Sequence, residues 1–374
     1  MKKSLKIIVK IACIVLICLV VRLGMLEFLD TQKITEEEKN TFSKLYYYGK
    51  LTDSQKEMYL KMDRSISKLH STIVFGFKEA DEVNNNVETV IEAYYNDHPE
   101  YYYLPYNYSL SNINFGIKNL SILNLKYLVS DELEIQNMNN ELKIAIKEII
   151  SNNIKSNMSE YDMELAIHDA LVKKVDYYKY EDINNIPNVK HTAYGALVQN
   201  EAVCDGYAKA FMLILKELNI DSIIVSGDLD NIAHAWNIVK IDGEYYHVDV
   251  TSDNVNVKNT KEVVHTYFNL SDKEITKKHK LTNVLEIPKC SSTKYNYYIH
   301  EGMYIEGNGS LKSKLNKIIK KEKNKKVLEV RYNENYKVQD LIDELYNLDF
   351  NLWKTKRYTN IEYFNVNDVY FFEK

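Results

Sequence analysis

Three residues have the types and the order of a thiol nucleophile, its base and a carboxylate that orients the base: Cys204, His234 and Asp249. A cysteine attacks as its thiolate, and the first turn of a helix stabilises negative charge through its dipole and free N–H groups. Apolar residues recur at helical spacing from Tyr207 to Leu218. The pattern therefore predicts that Cys204 opens an amphipathic helix and is placed to act as a nucleophile.

Two structural interpretations of Cys204 stay open beside this one. It can be a small buried residue at a helix start, a common location for cysteine, or the partner of Cys290 in a disulfide. The other two cysteines, Cys13 and Cys18, lie in an apolar run near the N-terminus. The four cysteines therefore predict neither a disulfide framework nor a CxxC metal pair.

The dipeptide Asp242-Gly243 is a strong signal for a two-residue hairpin turn, and it predicts strands His234–Ile241 and Glu244–Thr251. Counting outward from the turn makes His234 and Asp249 diagonal neighbours on one face of the hairpin. Such neighbours lie roughly 7–8 Å apart at Cα, which an imidazole and a carboxylate can span. The hairpin therefore predicts the base and its orienting carboxylate as a pair.

A second histidine, His247, lies on the same predicted face as Asp249 and is the internal alternative to His234. It lies nearer the turn, away from the strand end where a helix N-terminus can meet the sheet, so His234 is preferred. Four other histidines are interpreted as surface or satisfied polar residues: His168, His191, His265 and His279. No two of them have zinc spacing on a helix, and we predict no metal site and no cofactor.

The N-terminus combines four lysines (Lys2, Lys3, Lys6 and Lys10) with an apolar run from Ile11 to Val21. The stretch Leu5–Leu29 can cross a bilayer if its flanking basic side chains reach the interfaces. Residues 1–30 are therefore predicted to be an uncleaved signal anchor, with a cleaved signal peptide as the alternative. Lysines before the run place the N-terminus inside, so we expect a single-pass membrane protein with an extracellular catalytic domain, or a secreted one after cleavage.

The rest of the 374-residue chain is long enough for several domains. We predict a mostly helical region over 31–155, with helix throughout 31–80, a catalytic domain over 156–285, and a small α/β domain over 286–374 that opens with a strand at Tyr297–Ile305. The lysine-rich helix of this last domain is interpreted as a solvated face. A net charge of −5 gives no reason to expect a nucleic acid as partner.

Two segments together resemble the transglutaminase-like superfamily, which has a papain-like Cys-His-Asp fold. Residues 192–211 (TAYGALVQNEAVCDGYAKAF) resemble its nucleophile helix, and residues 234–251 (HAWNIVKIDGEYYHVDVT) resemble its histidine and aspartate strands. Residues 166–172 and 267–272 resemble the flanking parts. The resemblance covers about 160–280 and implies an α+β core in which the nucleophile helix packs on an antiparallel sheet.

The resemblance also implies roles and a substrate class. Cys204 would attack a glutamine carboxamide or a peptide carbonyl to form a thioester, which an amine or water then resolves. The oxyanion would be held by the Cys204 backbone N–H and by a second donor, for which Tyr194 and Gln199 are candidates. Expected partners are a protein or peptide substrate, including cell-wall peptides, and the membrane.

Alternatives to this activity are a cysteine protease on the same triad and a non-catalytic cell-surface binding module that keeps the fold. One departure from the family is Ser252, where many bacterial members have tryptophan. The departure is expected to alter the pocket wall and to leave the triad intact. The calcium sites of animal transglutaminases have no counterpart that can be placed in this sequence.

Overall fold

The computed structural model describes residues 10, 11, 14, 34–75, 80–104, 107–114, 119–254, 263–306, 311–322, 327–332, 338–347, 363–366 and 369–373. The chain divides into two compact units. The first comprises residues 1–137 and 284–286, and the second comprises residues 138–283 and 287–374. The four-part division predicted above is finer than this one and stays a prediction.

The first unit combines helices with a three-stranded antiparallel sheet of order β1-β3-β2. Its elements are α1 (Glu36–Phe42), α2 (Tyr46–Lys50), α3 (Asp53–Ile66), β1 (Thr72–Phe75), α4 (Ala80–Asp97), β2 (Tyr108–Asn114) and β3 (Asn119–Leu125). Helix α5 (Glu132–Asn153) runs across the boundary between the units along the chain. The predicted capping box at Thr52 and Gln55 is confirmed at the start of α3.

A buried carboxylate organises the aromatic core of the first unit. Asp97 accepts hydrogen bonds from the backbone N–H groups of Tyr47 and Tyr48 and from the Tyr59 hydroxyl, at 3.1, 2.8 and 3.1 Å. Burial raises the pKa of Asp97 to about 6, against the opposing effect of these donors. The Tyr59 ring therefore packs in this core while its hydroxyl has a polar partner.

The second unit begins with helical and short extended elements: α6 (Glu160–Lys174), β4 (Asp176–Tyr177), α7 (Ala193–Leu197), β5 (Glu201–Ala202) and α8 (Cys204–Glu217). A four-stranded antiparallel sheet follows, of order β8-β7-β6-β9. Its strands and neighbouring helices are β6 (Ser222–Leu229), β7 (Ile232–Ile241), β8 (Glu244–Val248), α9 (Val250–Asp253), α10 (Asp272–Ile275) and β9 (His279–Leu281).

Helix α8 lies against the sheet along its apolar face. Buried Asn237 of β7 donates its amide N–H to the Ala208 carbonyl of α8 at 3.1 Å and to the Ile223 carbonyl of β6 at 3.3 Å. The Tyr207 hydroxyl donates to the Val175 carbonyl at 2.6 Å, which ties α8 to the segment after α6. These contacts fix the helix that begins at Cys204. The expected α+β core, with a nucleophile helix on an antiparallel sheet, is confirmed.

The C-terminal part of the second unit forms a mixed sheet of order β10-β11-β13-β12, parallel only between β10 and β11. Its elements are α11 (Tyr297–His300), β10 (Tyr304–Ile305), α12 (Leu311–Lys321), β11 (Val327–Tyr332), α13 (Val338–Asn347), β12 (Tyr363–Val366) and β13 (Val369–Glu373). Arg331 of β11 pairs with Glu274 of α10 at 2.7 Å, which links this sheet to the segment after β8.

Three local predictions differ from the structure. The stretch 31–80 was expected to be helical throughout, but β1 lies within it and pairs with β3. The expected strand at Tyr297–Ile305 begins instead as helix α11. The hairpin strand expected to reach Thr251 ends at Val248, because Asp249 caps helix α9 and turns the chain out of the sheet.

Most of the predicted membrane segment, residues 1–30, lies outside the described residues. Within this segment the structure describes only Lys10, Ile11 and Ile14, which are helical. Within the described part of the chain, none of the helices combines the length and hydropathy that crossing a bilayer requires.

Candidate active site

Cys204 is the first residue of α8, as its sequence position predicts. It is partly exposed, and its thiol is free, as is that of buried Cys290, so the disulfide interpretation is wrong. Two residues later, a Cβ on Gly206 would lie 2.6 Å from the Lys190 carbonyl oxygen. Because only glycine allows this approach, Gly206 lets the first turn of α8 pack closely against the preceding segment.

The His234 ring lies between Cys204 and Asp249. Its Nε2 is 2.7 Å from Asp249 Oδ2, and the Cys204 thiol lies near enough to raise the pKa of the ring. Because Asp249 occupies Nε2, Nδ1 is the nitrogen left for the sulfur. Burial alone would lower the pKa of His234, but Asp249 and Cys204 outweigh it and raise the pKa to about 10. The ring is therefore held as an imidazolium at neutral pH.

The Asp249 carboxylate is fully buried and accepts four hydrogen bonds. The donors are His234, His279 at 2.9 Å, the Ser252 backbone N–H at 3.0 Å, and the Ser252 hydroxyl. Burial raises the pKa of Asp249, but the two histidines outweigh it and hold that pKa well below its usual range. Asp249 is therefore a fixed anion that orients the His234 ring.

Two of these donors were missed by sequence reasoning. Ser252 was noted only as a departure from the family, although aspartate three residues before it is a favoured N-cap pattern and could have indicated the contact. His279 was interpreted as a surface or satisfied polar residue. It is buried, and it comes from edge strand β9, where its pairing with Leu229 left no signal in the sequence.

An indole packs against both histidines of the site. The Trp236 ring stacks on His234 with centroids 6.0 Å apart, and it meets the edge of His279 at 4.9 Å. Gly227, opposite His234 on β6, makes this possible, because a Cβ there would lie 2.7 Å from the indole. Trp236 therefore limits the movement of the ring that faces the thiol.

His247, the alternative base, is engaged elsewhere. Its Nδ1 accepts the Trp236 indole N–H at 3.0 Å, and its Nε2 lies 2.9 Å from Asp272. Burial lowers the pKa of His247, although Asp272 opposes this effect. The ring is therefore a neutral link between Trp236 and Asp272, on the sheet but directed away from Asp249.

The two candidate oxyanion donors have described partners of their own. The Tyr194 hydroxyl donates to Glu141, and the exposed Gln199 side chain accepts from Lys190 at 3.2 Å. Neither contact involves Cys204 or His234. The backbone N–H of Cys204, at the first position of α8, remains the donor that the helix start itself supplies.

Three groups of side chains among the described residues could hold a metal ion, each with ligand atoms within 4.8 Å of one another. They are His234, Asp249 and His279; His247, Asp272 and Cys290; and His168, Asp169 and His265. In the first group, Asp249 is already saturated by four donors. The Asp249 carboxylate is therefore already engaged in orienting His234 and is not free to bind a metal ion.

Comparison with known proteins finds a family model that is similar to the central part of the chain. Residues 148–250 match the model of the transglutaminase-like superfamily. A search of the curated proteins finds no match.

Two solved structures are similar to parts of the chain. One is a crystal structure of a TGase, at 15% identity and a TM-score of 0.28, covering 58% of this chain and 57% of that chain. The other, a candidate cysteine protease from Cytophaga hutchinsonii, has 15% identity and a TM-score of 0.24 and covers 39% of this chain and 65% of that one. The chain thus spans less than two thirds of either protein, and TM-scores this low carry no conclusion about it. The similarity to a known family therefore rests on the family model, which residues 148–250 match.

Proposed function

We propose that this chain is a thiol enzyme in which Cys204, His234 and Asp249 act as nucleophile, acid–base group and orienting carboxylate. The observation that carries the proposal is the position of His234, which is hydrogen-bonded to Asp249 and lies near enough to the Cys204 thiol for that thiol to raise its pKa. An imidazolium beside the thiol favours the thiolate, which is the attacking form of cysteine. The helix start at Cys204 favours the same anion.

The reaction follows from these positions. The sulfur attacks the carbonyl carbon of a glutamine carboxamide or a peptide bond, and the Cys204 backbone N–H stabilises the oxyanion. His234 donates its proton to the departing ammonia or amine, leaving a thioester on Cys204. The neutral ring then takes a proton from an incoming amine or water, which attacks the thioester and releases the thiol.

The substrate we propose is a protein or peptide, including the peptides of a cell wall. We also propose that residues 1–30 anchor the chain in the cell membrane with the catalytic domain outside, since basic residues precede an apolar run. Protease added to intact cells should then remove the second unit while leaving the N-terminus protected. Protection of the whole chain would contradict this location.

The activity is tested with the full chain in a mild detergent, using glutamine-containing donor peptides with and without a primary amine. Mass spectrometry should find the amine joined to glutamine, glutamine converted to glutamate, or a cleaved peptide, which distinguishes acyl transfer, deamidation and proteolysis. Cys204→Ala should abolish the product, and Cys290→Ala serves as the matched control. A product that persists in Cys204→Ala would contradict the proposal. A biological effect that is unchanged in Cys204→Ala would also contradict it and would favour a binding module.

A further inference from the structure

A second cluster of histidines and carboxylates lies outside the candidate active site. His168 and Asp169 are on α6, and His265 follows the segment after α9. His168 and His265 are buried, whereas the Asp169 side chain is 28% exposed. One oxygen, Asp169 Oδ1, lies 3.2 Å from His168 Nδ1 and 2.9 Å from His265 Nε2. Two ring nitrogens from distant parts of the chain therefore converge on one carboxylate oxygen.

The far nitrogen of each ring also faces a carboxylate. His168 Nε2 is 3.2 Å from Asp253, and His265 Nδ1 is 3.6 Å from Glu329. A neutral imidazole has only one N–H, so it cannot donate toward two carboxylates at once. Metal-bound histidines use this pattern, with one nitrogen on the metal and the other N–H directed to a carboxylate.

We propose that His168 Nδ1, His265 Nε2 and Asp169 bind a zinc ion. Zinc bonds of about 2.0–2.1 Å in a tetrahedron place neighbouring ligand atoms about 3.3 Å apart. Two of the three separations are 2.9 and 3.2 Å, and all three ligand atoms lie within 4.8 Å of one another. Water would supply the fourth ligand.

The other two clusters lack this arrangement. In the one centred on His247, the Trp236 indole N–H occupies Nδ1, and Asp272 also accepts the Cys290 backbone N–H at 3.1 Å. In the active site, Ser252 supplies two of the donors to Asp249. Among these three groups of described residues, only the cluster around Asp169 has two histidines whose four ring nitrogens all face carboxylates.

The surroundings hold the two rings in place for ligation. The Tyr297 ring stacks on His265 with centroids 3.7 Å apart and planes 15° apart. Asp253 also accepts the Tyr267 backbone N–H at 3.0 Å, which fixes the carboxylate behind His168. A zinc ion here would join α6 to the segment that carries His265 and, through Asp253, to the helix capped by Asp249. The sequence did not indicate the site, because 96 residues separate Asp169 from His265.

Zinc binding is tested with the full chain in a mild detergent, stripped with a chelator, dialysed against buffered zinc chloride and analysed for metal content. The wild type should hold one more zinc per chain than Asp169→Asn and His265→Ala, and the exposed His70→Ala is the matched control. Asp253→Asn should keep the ligands but weaken zinc binding about 10–100-fold, as loss of a supporting carboxylate does. Zinc should raise the unfolding temperature of the wild type and of the His70 variant, but not of Asp169→Asn.

Two results would overturn the proposal. If the wild-type chain retains no zinc, His168 and His265 each carry an additional proton instead of a shared metal ion. This result does not depend on whether any variant folds. Equal zinc content in the wild type and Asp169→Asn puts the metal elsewhere. Cobalt substitution locates it independently, because a thiolate-to-cobalt absorption band would place the ion at a cysteine, such as Cys290 beside His247 and Asp272, instead.

Discussion

Replacing Asp249 by asparagine removes the charge that keeps the His234 ring protonated. The pKa of His234 rises from 6.5 to about 10 in the folded chain, which corresponds to about 5 kcal/mol of preference for the imidazolium. Asp249 is the largest source of this rise and acts against burial, which lowers the pKa. In Asp249→Asn, burial should dominate, and the ring should be neutral at pH 7.

The assay is alkylation of Cys204 by iodoacetamide as a function of pH, followed by peptide mass spectrometry. In the wild type, the rate should be nearly constant between about pH 6 and pH 8, because the thiolate is paired with an imidazolium. In Asp249→Asn, the rate should rise about tenfold per pH unit, as it does for an ordinary thiol with a pKa of about 8.5. The shape of the profile is the test, since the intrinsic reactivity of a thiolate also changes with its basicity.

The matched control is Asp272→Asn, which removes the carboxylate beside His247. It should leave the flat profile of Cys204 unchanged. A flat profile in Asp249→Asn would show that Asp249 does not keep the His234 ring protonated. A sloping profile in Asp272→Asn would instead assign the base role to His247. Circular dichroism confirms that both variants are folded.

Three further predictions follow from particular contacts. His279→Leu removes one of the histidine donors to Asp249 and should lower kcat by about tenfold, given about 1.5 kcal/mol for a hydrogen bond to a charged group. An unchanged kcat would remove His279 from the site. Gly206→Ala should cost about 1–3 kcal/mol of unfolding free energy in urea, since its Cβ meets a carbonyl oxygen at 2.6 Å, whereas Gly49→Ala, in open space, should not destabilise. Burial raises the pKa of Glu164 from 4.5 to about 8, so between these pH values the folded chain holds a proton that the unfolded chain has lost, and stability falls as pH rises. The free energy of unfolding of Glu164→Gln should therefore increase relative to that of the wild type by up to about 5 kcal/mol from pH 4.5 to pH 8. A difference in unfolding free energy that stays constant with pH would contradict the raised pKa.

The register of the central hairpin was predictable from two residues. Asp242 and Gly243 adopt φ values of 52° and 85°, as a two-residue turn between twisted strands requires. Pairing then runs from Ile241 opposite Glu244 to Asn237 opposite Val248, as counted from the turn. A strand has a period of two, so one correct pair fixes every residue that shares a face. The proximity of His234 to Asp249 was counted outward from this register, and the strand pairing ends one residue before Asp249.

The end of the hairpin was not predictable from strand periodicity. Asp249 was expected within a strand, but it caps α9, and its backbone N–H donates to the Tyr267 carbonyl at 3.1 Å. The aspartate therefore meets His234 from a helix start, where its carboxylate also receives the two Ser252 donors. The β-rich pattern favours a strand at Asp249, whereas aspartate is also a preferred N-cap residue, and the structure shows the N-cap.

Contacts between segments that are distant along the chain could not be predicted from the sequence either. His279 reaches Asp249 from β9, which joins the sheet beside β6 through only three residue pairs. A three-residue edge strand carries too few side chains for its alternation to indicate a partner. The second oxyanion donor raises the same difficulty, because a helical pattern around Tyr194 gives no information about which group its hydroxyl meets.

The proposed mechanism requires that the sulfur of Cys204 becomes acylated during the reaction. Rapid acid quenching of the full chain with a glutamine-containing donor peptide, followed by peptide mass spectrometry, tests this step. We expect an adduct on Cys204 with the mass of the peptide less ammonia, removed by hydroxylamine and absent from the buried Cys290. Product formation with no adduct on Cys204, or with an adduct on another residue, would contradict it.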